Sequence, residues 1–270
     1  MAPKISIVMP CFNQGAYIDD AIDSVNHQTM TDIEIVVVDD ASTDPATKEK
    51  LKCIKGLQSA NITVELLAKN VGVSAARNIG ANLAKGEFLV FLDADDKLHP
   101  EFIQRCFDVI SKTDKCNFVT SDVVFFERIN RRLATEEYSI KKLLARNIFP
   151  VTGLLRRDEF MLTEGFDETM KCGLEDWEFW IRFLKKGGIV KVVHQDLFFY
   201  RIKKQSKNVE ALQNIRNARA RIVERNADIF ACVGFLDPVE LFEYRLISMS
   251  NDYKIGSIIC KYLRILRNLF

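Results

Sequence analysis

Several features that would settle a function at once are missing from these 270 residues. Net charge is nearly absent: 38 Lys and Arg against 37 Asp and Glu leave +1 at pH 7. That balance excludes a generic polyanion binder, and a nucleic-acid role would need a local basic face rather than global charge. The seven cysteines (11, 53, 106, 116, 172, 232, 260) form no CxxC pair and no repeated spacing. An odd, irregular set excludes a disulfide framework or zinc knuckle and predicts reduced thiols in a cytosolic compartment. No apolar run approaches the roughly 18 residues of a spanning helix. "MAPKISIVMP" enters a strand pattern directly, so no secretory signal is expected. The chain contains neither GxGxxG nor GxxxxGK[ST], which argues against a dinucleotide-dependent oxidoreductase and a P-loop NTPase. Internal repeats and low-complexity linkers are also lacking.

What remains is an ordinary globular composition, 48% hydrophobic and 28% charged, long enough for one large domain with an appendage. In the first hundred residues, runs rich in Ile and Val (5–11, 33–40, 62–68, 87–93) alternate with helical stretches (17–28, 44–57, 72–86). Strands that are apolar on both faces, separated by helices, predict a Rossmann-like α/β fold with a mostly parallel central sheet flanked by helices. Beyond it, 117–128 reads as a strand, 174–188 as a helix ended by glycines, and 189–202 as one or two strands. After 205 the pattern is helical. We expect one domain over 1–204, with a donor half (1–96) and an acceptor half (97–204), and a helical C-terminal extension over 205–270.

In such sheets ligands bind at the C-terminal strand ends. The second strand ends in "VVVDDASTD", where Asp40 could accept from a ribose or base edge, or Asp40 and Ser42 could form a turn and cap the next helix. The fourth ends in "FLDADD". Asp93 and Asp95, at i and i+2, point the same way in an extended chain, which suits Mg²⁺ or Mn²⁺ shared with phosphate oxygens; the alternative is a solvated acidic turn. In "GLEDWEFWIRF", Asp176 shares a helix face with Phe179, Trp180 and Phe183, whereas Glu175 lines up with Glu178 and Arg182 on a wetter face. A partly desolvated carboxylate on an aromatic face gains basicity, although both acids would also favour a helix N-terminus by themselves.

Taken in order, "ISIVMPCFNQGAYIDDAIDSVNHQT", "IEIVVVDDASTD", "NVGVSAARNIGANLAKGEFLVFLDADD", "EGFDE", "GLEDWEFWIRFLKKG" and "FYRI" resemble the inverting nucleotide-sugar glycosyltransferases of family 2, which have the GT-A fold. The resemblance implies that Pro10 and Phe12 wall the nucleotide base and that Asp40 pairs with its edge. Asn13, Ser42, Arg77, Asn78, Ala94 and Arg201 would lie on the donor side. Asp95 would be the direct metal ligand with Asp93 nearer the ribose, and Asp176, beside Glu175, the catalytic base. Where the family often carries a histidine, this chain has Lys203, which could neutralise a diphosphate directly. The implied donor is a UDP- or dTDP-type sugar, the cofactor Mn²⁺ or Mg²⁺, and the acceptor a glycan or lipid-linked glycan in cell-surface polysaccharide synthesis. Two rival readings are a sugar-phosphate nucleotidyltransferase and a non-catalytic nucleotide-sugar binding module. The nucleotidyltransferase would want a glycine-rich basic loop after the first strand, where "PCFNQGAY" stands. The tail 253–270 reads as a basic amphipathic helix, suited to the inner face of the cytoplasmic membrane, to its own domain or to a second copy in a homodimer.

Overall fold

The computed structural model describes residues 3–57, 59, 61–171, 173–203 and 210–234. The tail 253–270, read above as a basic amphipathic helix, therefore lies outside the described residues. No helix among the described residues is long and apolar enough to cross a membrane. The first half alternates as the patterning predicts: β1 (Ile5–Cys11), α1 (Ile18–Asn26), β2 (Ile33–Asp39), α2 (Pro45–Gly56), β3 (Ile62–Leu66), α3 (Val73–Leu83) and β4 (Phe88–Phe91). All four strands run parallel, in the order β3-β2-β1-β4. Every residue of β1, β2 and β4 is buried, because helices cover both faces.

The second half is less regular: β5 (Lys97–Leu98), α4 (Phe102–Lys112), β6 (Cys116–Glu127), β7 (Arg131–Leu133), α5 (Ile140–Ala145), β8 (Leu154–Arg156), α6 (Arg157–Met161), α7 (Glu175–Leu184), β9 (Ile189–Ile202), α8 (Glu210–Arg225) and α9 (Ala227–Cys232). Short β8 lies antiparallel between β4 and β6, and long β6 and β9 pair in parallel. The full order is β3-β2-β1-β4-β8-β6-β9-β5, with β7 on β6, and parallel register carries most of the pairing. The stretch 189–202 is one strand, bent by bulges opposite Ser121–Val123. Helix α4, which the sequence reading left as irregular, packs Phe102, Ile103, Cys106 and Ile110 into the core.

The strand period of two divides the core into layers. Ile5, Ile7 and Met9 face α1, α2 and α4, while Val8, Leu89 and Phe91 face α3, α7 and α8. Helix α3 lies directly on β1: a Cβ on its Gly80 would sit 2.4 Å from Val8 Cγ1. Ala218, Ile222 and Val223 of α8 enter the same core as α7, so the start of the C-terminal extension is packed against the domain.

Candidate active site

The C-terminal ends of β1, β2 and β4 open into a polar cleft of about 520 Å³. Of the residues singled out from the sequence, Pro10, Phe12, Asp40, Asp93, Ala94 and Asp95 line it. Gln14, Asn70, Val73 and Lys171 line it as well and were not foreseen. The Phe12 ring is 42% exposed, unusual for a phenylalanine so close to a core strand. Cys11 also faces the cleft, with burial pushing its thiol up to about 12, so it stays protonated and is no nucleophile at neutral pH.

Other predicted residues build the walls. Asn13 turns the chain at φ 56, and its Oδ1 accepts from Thr43 N (2.8 Å) and Asp44 N (2.9 Å). Ser42 Oγ accepts from Asn13 N at 2.9 Å and donates to Asp39, tying the two strand-end loops together. The N-cap of α2 is Asp44, not Ser42. The Asp40 carboxylate accepts from Val71 N (2.6 Å) and Gly72 N (2.8 Å), so it holds the turn before α3 as well as facing the cleft.

Asp93 and Asp95 do not stand on an extended chain. Strand β4 ends at Phe91, and Asp96 N closes a turn on Asp93 O at 3.0 Å. The two carboxylates therefore diverge, one toward Arg77 and the other toward Lys203. Burial, and then the charge of Asp93, hold the Asp95 carboxyl above the usual carboxylate range, although Lys203 opposes the shift. Asp96 is raised further, again chiefly by burial, and accepts from Arg201 N at 2.8 Å. Arg201 supports the turn from behind: its Nε donates to Asp95 O at 2.7 Å, and its Nη atoms hold Glu127 and Asp20 at 2.8 Å.

Arg77 links this turn to α7. The guanidinium, 3% exposed, donates to Asp93 Oδ1 and Glu175 Oε1, both at 2.8 Å, and these two carboxylates keep it charged. Neighbouring Asn78 exchanges hydrogen bonds with Phe166 and reaches Glu168, fixing the loop that carries Gly165. Arg77 and Asn78 thus act behind the cleft and do not line it.

Helix α7 starts at Leu174, which takes a left-handed conformation (φ 64), and is driven into the core by its aromatic stripe. Trp180 stacks near Phe118 (centroids 4.1 Å), and Trp177 Nε1 donates to Leu143 O at 2.6 Å. The face expected to be wetter is not: Glu178 is fully buried and paired with Arg182 and Arg225, because α8 covers it. Asp176 looks the other way, into an apolar pocket of about 370 Å³ walled by Phe125, Phe149, Phe198 and Tyr200. Burial first, and then the charge of Glu175, push its carboxyl up to about 6. Asn147 Nδ2 (2.8 Å) and Trp177 N (2.8 Å) donate to it and act against that rise. No sequence signal marked Asn147, which sits in an irregular segment; alternating aromatics in "VVFFE" and "LFFYR" were the visible trace of the pocket.

Residues 6–167 match the profile of the family described as "Glycosyl transferase family 2". The chain belongs to that family. It is 27% identical over 84% of its length to an uncharacterized glycosyltransferase of Haemophilus influenzae, covering 81% of that protein. It is 28% identical to the chondroitin synthase of Pasteurella multocida over 84% of this chain but only 25% of the synthase. Its backbone superposes on S. aureus TarS in complex with UDP-GlcNAc with a TM-score of 0.68 at 19% identity, covering 92% of this chain and 73% of TarS. At that identity the likeness shows the fold, a GT-A-type α/β domain.

Among the described residues no three His, Cys, Asp or Glu side chains converge as a metal nest. Asp93 and Asp95 nonetheless offer two hard oxygen donors at the cleft, and Asp95, raised first by burial and then by the charge of Asp93, is a carboxylate whose charge a divalent cation sharing phosphate oxygens would stabilise. The oxygen donor types fit Mg²⁺ or Mn²⁺, although as placed the two carboxylates are turned apart, onto Arg77 and Lys203.

Proposed function

We propose that this family 2 glycosyltransferase moves a sugar from a uridine- or thymidine-type nucleoside diphosphate sugar to a hydroxyl of a glycan or lipid-linked glycan, with inversion. One observation carries the reading: Asp176, with its carboxyl at about 6, opens on an apolar pocket, while adjacent Glu175 is joined through Arg77 to Asp93 of the polar cleft. The cleft would take the nucleotide, with Phe12 and Pro10 against the base and Asp40 at its edge. TarS was solved with UDP and with UDP-GlcNAc, which favours a uridine donor. Chondroitin synthase among the relatives favours a polysaccharide acceptor.

Asp176 takes the proton of the acceptor hydroxyl as that oxygen attacks the anomeric carbon from the face opposite the diphosphate. A carboxylate near 6 is ionised at neutral pH yet still basic enough to assist. Asn147 and Trp177 N hold it in one orientation, and the aromatic walls exclude water that would otherwise compete as acceptor. A divalent cation on Asp95 and Asp93 would offset charge growing on the leaving diphosphate. Single displacement needs no enzyme nucleophile. A donor screen for nucleoside diphosphate release, followed by NMR of the product's anomeric configuration, tests this; a retained configuration sinks it.

A further inference from the structure

Three cations surround the turn 93–96, and they are committed differently. Arg77 is enclosed by Asp93 and Glu175, and Arg201 by Asp20, Glu127 and the Asp95 carbonyl. Lys203, the first residue beyond β9, instead reaches two side chains that line the polar cleft. It is ion-paired with Asp95, donates to Gln14 Oε1 at 2.7 Å and lies 5.0 Å from the Tyr17 ring centroid. Asp95 and Gln14 both line the cleft. The lysine side chain is 29% exposed, and its flexible stem lets the charge move without the sheet moving.

Two positive groups compete for one carboxylate. A divalent cation on Asp95 must displace the Lys203 ammonium, which then needs another anion nearby. A diphosphate in the same cleft is such an anion. We propose that Lys203 is a stored counter-charge for the donor diphosphate: it closes the cation seat on Asp95 while the cleft is empty and moves to the diphosphate when donor and cation enter together. The inference rests on the nucleotide-sugar reading and adds to it a coupling between the two ligands. Cation and nucleotide bind well as a pair and poorly alone, so the seat does not scavenge free metal.

The test is Mn²⁺ titration of the full chain, followed by electron paramagnetic resonance of free Mn²⁺, with and without UDP. Without UDP, Lys203→Met is expected to bind Mn²⁺ about tenfold or more tighter than the wild type, since a like charge a few ångströms away is gone. Lys203→Arg, which keeps the charge, should stay weak. UDP should tighten Mn²⁺ binding to the wild type by about tenfold or more, and this coupling should shrink toward one in Lys203→Met. Equal Mn²⁺ affinities in wild type and Lys203→Met overturn the proposal, as does no Mn²⁺ binding in any variant with or without UDP. Tighter Mn²⁺ in Lys203→Met together with no UDP binding to the wild type upholds the guarded seat and sinks the nucleotide reading instead.

Discussion

The polar cleft and the apolar pocket are linked through Arg77, which bridges Asp93 of the cleft to Glu175 beside Asp176 of the pocket, yet they are made in opposite ways. Apart from Lys171, the cleft is assembled from strand ends, their turns and the start of α3 within the first 96 residues, and side chains of its floor and walls are committed to backbone groups: Asp40 to Val71 and Gly72, Asn13 to Thr43 and Asp44. The pocket is assembled from β6, β7, β9, Asp176 of α7 and the stretches 134–136 and 146–150 on either side of α5, and most of its wall is apolar side chains and rings. A cleft built from backbone contacts tolerates few changes in its shape, whereas a pocket built from packed rings is re-cut by changing one side chain.

The comparison can be broken at several points. The largest effect is expected for Asp176→Asn, which should cut transfer by about 10²–10⁴-fold while UDP affinity is unchanged. An active Asn variant removes the base from the pocket side. Next, Arg77→Met should lower stability by about 3 kcal/mol in urea unfolding, because it leaves Glu175 and Asp93 without their shared cation; Asp93, 31% exposed, limits the loss. Arg77→Lys should recover little, since one ammonium cannot span both carboxylates. A smaller change is expected for Phe125→Ala, with loss of about 1 kcal/mol in acceptor binding, read as a severalfold higher acceptor KM with donor KM unmoved. The smallest is in pH dependence. Because Asp176 must be ionised to accept a proton, kcat/KM should fall as pH drops below about 6 and level off above it. Asn147→Leu removes a hydrogen bond that favours the ionised form, so the acidic limb should move upward.

The same division decides what could be read from the chain alone. In the first half, Ile and Val runs alternate with helices at regular spacing, and polar residues mark strand ends, so Asp40, Asp93 and Asp95 were found as cleft residues from pattern, and Pro10 and Phe12 from the family resemblance. Their local roles were not legible. That Asp40 grips the 71–72 backbone, or that Asp93 turns toward Arg77, depends on contacts across long separations. In the second half, three-residue β8 and β7 carry too little pattern to register, whereas α4, with Phe102, Ile103, Cys106 and Ile110 on one helix face, was legible and was left unassigned. Glu178 shows the limit of helical-face arguments. Its face carries Arg182 and looks wet until α8, contributed by sequence well downstream, is laid over it.

The Arg77–Glu175 contact also has a place in time. The two residues are 98 positions apart, so at roughly 5–20 residues per second Glu175 leaves the ribosome some 5–20 s after Arg77. Throughout that interval the first four strands can pair while a guanidinium destined for the interior has only Asp93 beside it. The arrival of α7 gives that cation its second carboxylate and delivers Asp176 in the same step. A chain stalled before α7 would thus hold a nearly complete nucleotide cleft with no base to use it.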